Sequence, residues 1–357
     1  MNFIFRTDSS SEIGHGHLMR CLVLAHELKL HQASIHFICR DHSGSAHNLV
    51  IEAGYSLHLL PGKNITTKSK THKDWLGCTQ AEDAEACSQI LENLSQCHVI
   101  VDHYGLDIEW ESRIKHAIVT VIDDLADRHH QCIRVIDQSL AHTKKDYSDL
   151  IRGDFDFWGG ANILLRDEFR KTADWKGPHD GSLMLCMGGA DPQGVTNRIV
   201  KALLIWLKMF PTQQLIKRLD VVIGHAFDHQ EELDKYLDRL PFEVALHRGH
   251  PNISALMINS NASILSCGTM ILEACALGVP TIGVPLAQNQ KYTASFLAAR
   301  KAIFRLDIDN KMEENLIRKI ESALGEQNTP LIISQNAKMM VDKNSAYSIA
   351  RALTNDH

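Results

Sequence analysis

Arg6-Thr-Asp8-Ser-Ser-Ser-Glu-Ile-Gly14-His-Gly16-His17-Leu-Met-Arg20 follows a short apolar run, Phe3-Ile-Phe5. It leads into a helical pattern in which Leu18, Cys21, Leu22, Ala25 and Leu28 share one stripe. A strand, a glycine-bearing polar loop and an amphipathic helix form the opening unit of an open α/β sheet. The same alternation continues outward from it. Ile35 to Cys39 and Tyr55 to Leu60 read as strands, Gly62 to Lys73 as a polar surface loop, and 80–94 as a helix. His98-Val-Ile-Val-Asp102, Ile118 to Ile122 and Ile133 to Ile136 are further strands, with Asp102, Asp123 and Asp137 at their ends.

Between Ala141 and Gly181 the periodicity dissolves into charged, glycine-rich and aromatic sequence. It restarts with a strand at Ser182 to Met187. Helices at 193–209, 228–239, 269–277 and 289–299 then alternate with strands at 219–223, 243–246, 262–265 and 281–284, and two or three helices close the chain after 310. Alternating strands and helices predict an α/β fold of two Rossmann-like domains facing a central cleft. The first spans 1–150 and carries the opening loop, 151–180 links the two, and 181–357 forms the second, with its last helices able to return to the first.

A length of 357 residues, 44% of them hydrophobic, suffices for two cores. The 37 basic and 43 acidic side chains give a net charge of -6 with no long basic run, which argues against extended nucleic-acid or anionic-membrane contact. Nine cysteines, an odd number without a CxxC pair, read as reduced thiols of a cytoplasmic protein. No signal peptide is expected from Met1 to Arg6, a short apolar burst followed at once by Thr7 and Asp8, and the most apolar stretch, Ile264 to Ala287, is interrupted by Gly268, Glu273, Gly278, Pro280 and Pro285. A monomer is expected, with no membrane and no nucleic-acid partner.

Ligands of open α/β sheets bind beyond the carboxyl ends of the strands, and three loops there carry chemistry. In the opening loop Gly14 and Gly16 allow close backbone approach, and His17 falls at the helix start, where the dipole favours a neutral imidazole able to accept a proton. Asp8 is placed to orient that ring or to hold a substrate hydroxyl. The dinucleotide pattern fails, because Met19 stands where its third glycine belongs. Catalysis, a plain glycine-rich turn, and a His15/His17 metal pair are all compatible with these residues. A metal needs three or four ligands, and only His129-His130 and scattered aspartates are on offer.

The second loop, Met187-Gly-Gly-Ala-Asp191-Pro-Gln-Gly194-Val-Thr196, reads equally as a phosphate nest built on Gly188 and Gly189 or as a tight turn capped by Asp191. The third is Leu265-Ser-Cys-Gly268-Thr269-Met-Ile-Leu-Glu273, followed by Pro285-Leu-Ala-Gln-Asn289-Gln290. Ser266, Gly268 and Thr269 open a helix whose free amides suit a diphosphate, and Glu273, one turn further in, suits a ribose diol. A solvated acid is the plain alternative for Glu273.

The opening pattern R-x-D-x-S-x-x-I-G-x-G-H-x-x-R resembles that of the PseG family, the UDP-2,4-diacetamido-2,4,6-trideoxy-β-L-altropyranose hydrolases of pseudaminic acid biosynthesis. The resemblance extends through His36-Phe-Ile-Cys-Arg40-Asp-His, Val101-Asp-His-Tyr-Gly105 and Val121-Ile-Asp-Asp-Leu-Ala126 to Gly188-Gly-Ala-Asp191, Gly268-Thr269 and Asn289-Gln290. It implies the two-lobed GT-B fold of MurG-type glycosyltransferases and a metal-independent nucleotide-sugar hydrolase without a cofactor. His17 would then be the catalytic base; the loop itself adds Asp8 as a catalytic candidate and Gly14, Gly16 and Arg20 as residues expected to bind substrate. UDP would lie at Glu273 and the backbone around Gly268 and Thr269, with Asn289 and Gln290 at sugar or phosphate; Gly188, Gly189, Asp191, Ser266 and Cys267 complete the set of residues expected to bind substrate. Many relatives read G-G-S-T-x-W-E where this chain has Cys267-Gly-Thr-Met-Ile-Leu-Glu273. The segment Gly159-Gly-Ala-Asn-Ile-Leu-Leu-Arg166 and Ser139 depart as well, which loosens the identity of the sugar but not the diphosphate site. The rival on the same fold is a GT-B glycosyltransferase using a UDP-sugar donor.

Overall fold

The computed structural model describes residues 1–62, 71–177, 181–189, 191–209, 215–249, 252–325 and 328–355, with the side chains of Met209 and Asn289 left outside that description. The chain divides into two compact units, 1–166 with 344–357, and 167–343.

The first unit opens with β1 (Asn2–Thr7), α1 (Gly16–Leu30), β2 (Ser34–Arg40), α2 (Asn48–Glu52), β3 (Ser56–Leu60) and α3 (Gln80–Leu91). It continues through β4 (Cys97–Asp102), α4 (Ile108–Glu111), β5 (Ala117–Asp123), β6 (Arg134–Asp137) and β7 (Asp156–Trp158). Its strands form a seven-stranded parallel sheet in the order β3-β2-β1-β4-β5-β6-β7. Alternation along β1 sends Phe3 and Phe5 to one face, against Leu18, Leu24 and Leu28 of α1, and Ile4 to the other, against Val99, Val101 and Trp110. Both faces are thus covered, which is why these strands read as nearly continuous apolar runs. The order also reverses direction at β1: β2 and β3 build outward on one side, β4 to β7 on the other. That reversal leaves a crevice beyond the ends of β1 and β4, where Thr7 and Asp102 are register partners.

The second unit begins with α5 (Asp167–Lys171), β8 (Ser182–Cys186), α6 (Val195–Met209), β9 (Arg218–Ile223), α7 (Gln230–Leu237) and β10 (Glu243–Arg248). Next come α8 (Ile253–Ile258), β11 (Ala262–Ser266), α9 (Thr269–Leu277), β12 (Thr281–Val284), α10 (Gln288–Ala299), β13 (Phe304–Arg305), α11 (Met312–Leu324) and α12 (Thr329–Lys338). Its parallel sheet runs β10-β9-β8-β11-β12-β13, again with a reversal, here between β8 and β11. The closing helix α13 (Ser345–Asn355) belongs to the first unit, where Ala346, Ile349, Ala350 and Leu353 join the α1 core.

The stretch expected as a linker, 151–180, divides at Arg166. Its first part supplies β7, whose Phe157 and Trp158 pair with Val135 and Ile136 of β6, so it is an edge of the first sheet. Part of the polar loop expected at Gly62 to Lys73 lies outside the described residues; His72–Leu76 is a 3₁₀ turn closed by a Thr71/Asp74 capping box.

Candidate active site

The β1–α1 loop is drawn tight by Ser10, whose hydroxyl accepts from the amides of Glu12 (3.1 Å) and Ile13 (2.9 Å). Gly14, whose amide returns to the Ser10 carbonyl at 2.9 Å, takes a φ of 79° that an L side chain rarely adopts. A Cβ there would meet nothing within 4 Å, so the conformation, not crowding, selects glycine. This turn puts His17 in the first turn of α1, its side chain 8% exposed at the crevice between β1 and β4.

His17 Nδ1 stands 2.6 Å from Oδ1 of Asp102, the last residue of β4. Asp102 is fully buried. Burial opposes its charge, but Arg20 and then His17 override it and hold the carboxyl well below the usual carboxylate range. An ionised carboxylate only accepts, so Nδ1 carries the hydrogen and Nε2 keeps its lone pair. No hydrogen bond engages Nε2 among the described residues. The ring is further walled by Tyr104, edge-on with centroids 4.4 Å apart, and by Trp75 at 6.4 Å. His72 stands 4.6 Å from Trp75 and 5.0 Å from Tyr104, so an aromatic cluster borders the imidazole. Held by a buried acid, with one nitrogen free, His17 has the construction of a general base.

Two expectations change here. Asp8 does not orient His17. It is bridged by Arg6 (2.6 and 2.9 Å), accepts from the Arg40 amide at 2.7 Å and faces His103 Nε2 at 3.3 Å. Arg6 also binds Asp83, whose carboxyl is drawn down to about 2 against the cost of burial, and Trp110 Nε1 donates to the same acid at 2.8 Å. Asp8 is thus part of a buried, charge-balanced network beneath the crevice. Arg20 is likewise turned inward, 6% exposed. Its Nε and Nη2 donate to Asp102 at 2.6 Å each and its Nη1 to Asp124 at 3.1 Å. Tyr104 donates its hydroxyl to Asp124 as well. The guanidinium is committed to the protein, against the substrate contact expected of it.

Asp102, Asp124 and Tyr104 were not singled out as site residues, though all lie in the Val101-Asp-His-Tyr-Gly105 and Val121-Ile-Asp-Asp-Leu-Ala126 stretches. The signal for Asp102 is an acid ending a strand next to β1, which becomes readable only once strand order is known.

In the second unit, β8, β11 and β12 are neighbours and bring their loops together. Gly188 has a φ of 96°, and a Cβ on it would stand 3.7 Å from the Ser266 hydroxyl. A Cβ on Gly268 would stand 3.8 Å from the Gln290 amide nitrogen, whose Oε1 accepts from the Leu286 amide at 2.9 Å. Gly268 caps α9 without any side-chain bond; the Ile271 amide returns to the Gly268 carbonyl at 3.3 Å, and the amides of Thr269 and Met270 precede it in the first turn beside Ser266. Glu273 is buried on α9, one turn beyond Thr269. Asn289 lies in α10, its side chain outside the described residues.

Asp191 has the capping role rather than a ligand role: its carboxylate accepts from the amides of Val195 (2.9 Å) and Thr196 (2.7 Å). Those are the amides a phosphate at α6 would need. Gly188 and Gly189 remain at the loop, while Ala190 lies outside the described residues. Cys267 also departs from expectation. Its amide donates to the Val284 carbonyl at 3.0 Å, a Cβ on Gly283 would come within 2.8 Å of its sulfur, and burial pushes the thiol well above its usual range. It packs the sheet. Among the described residues no three His, Cys, Asp or Glu side chains are grouped as metal ligands, and His15 Nε2 lies 3.2 Å from the Gly44 carbonyl.

No family model matches the chain. It is 27% identical over 304 residues to the UDP-2,4-diacetamido-2,4,6-trideoxy-beta-L-altropyranose hydrolase of Campylobacter jejuni, covering 84% of this chain and 97% of that one. An uncharacterized protein of Methanocaldococcus jannaschii is 22% identical over 302 residues, 81% of this chain and 56% of that one. Among solved structures, Acinetobacter baumannii MurG matches with a TM-score of 0.67 at 12% identity, over 99% of both chains. Medicago truncatula UGT71G1, solved with UDP-glucose, matches with a TM-score of 0.68 at 13% identity, over 99% of this chain and 98% of that one. The resemblance to the PseG hydrolases read from the opening motif is borne out, and the fold is the two-domain α/β GT-B fold.

Proposed function

We propose that the chain is a nucleotide-sugar hydrolase that removes UDP from a UDP-activated 2,4-diacetamido-2,4,6-trideoxy sugar, in pseudaminic acid or a related nonulosonate biosynthesis. The observation that carries this reading is the His17–Asp102 pair at the crevice of the first sheet, with no partner on Nε2 among the described residues. In the reaction, a water oxygen attacks the anomeric carbon as its proton passes to His17 Nε2. The bond from that carbon to the diphosphate oxygen breaks, with inversion, and UDP leaves with the electron pair. A diphosphate is a weak base and departs without a strong protein acid. The start of α9, which no side chain caps, stabilises its growing charge through the Thr269 and Met270 amides, and Glu273 takes the ribose hydroxyls. Gly188, Gly189, Ser266, Gly268, Thr269 and Gln290 line the same set of loops. The steps use no metal and no cofactor. A monomeric, cytoplasmic enzyme completes the reading, and the nine free cysteine thiols support a reducing compartment; no helix among the described residues is long and apolar enough to cross a membrane.

A glycosyltransferase of the same fold would direct the same base at a sugar hydroxyl. Release of UDP from the donor without any acceptor separates the two. The hydrolase reading expects such release, and it expects His17→Ala to lower kcat by about 10²–10⁴-fold with UDP affinity intact. Full turnover by that variant would remove His17 from the mechanism.

A further inference from the structure

Arg20 is a buried charge in contact with the His17–Asp102 pair that the steps above do not use. It sits on the helix that carries the base, donates to Asp102 through two nitrogens at 2.6 Å, and brings Nη2 within 3.1 Å of His17 Nδ1. Nη1 reaches Asp124, a carboxylate 17% exposed, at 3.1 Å. A buried carboxylate 2.6 Å from an imidazole would, acting alone, favour the imidazolium. An imidazolium cannot take a proton from water. The acid that fixes the tautomer therefore tends to disable the base, unless its charge is met from elsewhere.

The groups facing the ring come from several elements. Arg20 shares α1, Asp102 ends β4, His103 and Tyr104 follow β4, Asp124 follows β5, and His72 lies on the 3₁₀ turn. Burial holds His103 neutral, and its Nδ1 accepts from the Gly105 amide at 2.9 Å. Burial and then Asp124 keep the Tyr104 phenol protonated, and partial burial disfavours a charged His72. Arg128, 5.5 Å from the Tyr104 ring centre, is paired with Asp123 and Asp127. Among the described residues the charged side chains at the ring are thus Arg20, Asp102 and Asp124.

We propose that Arg20 is a positioning residue whose charge is matched against Asp102, so that the carboxylate fixes the tautomer of His17 without turning the ring into an imidazolium, and that Asp124 sets the degree of that match. The assignment rests on His17 being the base. It makes opposite demands on two substitutions. Arg20→Met removes a cation beside the ring, and Asp124→Asn removes an anion while preserving the shape that holds Arg20 and Tyr104.

The test is the pH dependence of kcat/KM for UDP release from UDP-2,4-diacetamido-2,4,6-trideoxy-β-L-altropyranose by the full chain and both variants. Arg20→Met is expected to move the acid limb up by about 1–3 pH units, and Asp124→Asn to move it down by a smaller step. UDP affinity stays as in the unaltered protein in both. Shifts in the same direction, or an unmoved limb in Arg20→Met with a raised KM, overturn the proposal and return Arg20 to substrate binding. Should Arg20→Met not fold, Asp124→Asn decides alone: a downward limb supports the match, an unmoved or upward one ends it. His17→Gln separates the two readings. If it keeps full turnover, the base assignment fails; if it is inactive while the limbs stay put, only the role of Arg20 fails.

Discussion

At the scale of single residues, the free lone pair on His17 Nε2 depends on an ionised acid at Nδ1, 2.6 Å away. Asparagine at 102 can still accept from Nδ1–H, but it can equally donate to a bare Nδ1 and stabilise the tautomer whose Nε2 is protonated. Asp102→Asn should therefore lower kcat by about 10²–10⁴-fold while the UDP dissociation constant holds. Unchanged kcat in that variant would show that the acid does not set the tautomer. The place of His17 at a helix start was legible in the sequence, because two glycines and a polar loop separate it from the first strand. Its partner was not. Asp8 is near in sequence and Asp102 is 85 residues away, and only the β1–β4 pairing makes the distant acid the neighbour. Asp8 instead meets Arg6 two residues earlier, with both side chains buried, which no spacing argument reveals.

At the scale of elements, α9 and α6 begin in similar glycine-bearing loops but end up with different capacities. Asp191 occupies the first amides of α6, whereas Gly268 leaves those of α9 without a side-chain cap. The diphosphate site is accordingly proposed at α9, with Glu273 on the same helix for the ribose. Hydrogen bonds to a charged group are each worth about 1.5–3 kcal/mol, so Glu273→Ala should weaken UDP binding by roughly ten- to a hundredfold. Calorimetry checks it, and an unaltered dissociation constant would count against the ribose assignment. Alternation of strand and helix was readable nearly throughout, since strands buried on both faces and helices with one apolar stripe leave periodic traces. The elements missed are short: β7 (Asp156–Trp158), β13 (Phe304–Arg305), α4, α5 and α8 have two to six residues each, and the 3₁₀ turn His72–Leu76 has five, too few for any of them to show a period.

At the scale of the whole molecule, two parallel sheets with a strand-order reversal apiece follow from one alternating pattern used twice. The point where the chain leaves the first unit, after Arg166, was less legible than the number of units. Phe157 and Trp158 join the first sheet by pairing with β6, a tertiary contact inside sequence that looks irregular. The function proposed for the molecule reduces to which bond breaks. If His17 directs water at the anomeric carbon, hydrolysis of UDP-2,4-diacetamido-2,4,6-trideoxy-β-L-altropyranose in oxygen-18 water, read by mass spectrometry, must place the label in the released sugar and leave UDP unlabelled. Label in UDP would mean attack at phosphorus, and would contradict the account.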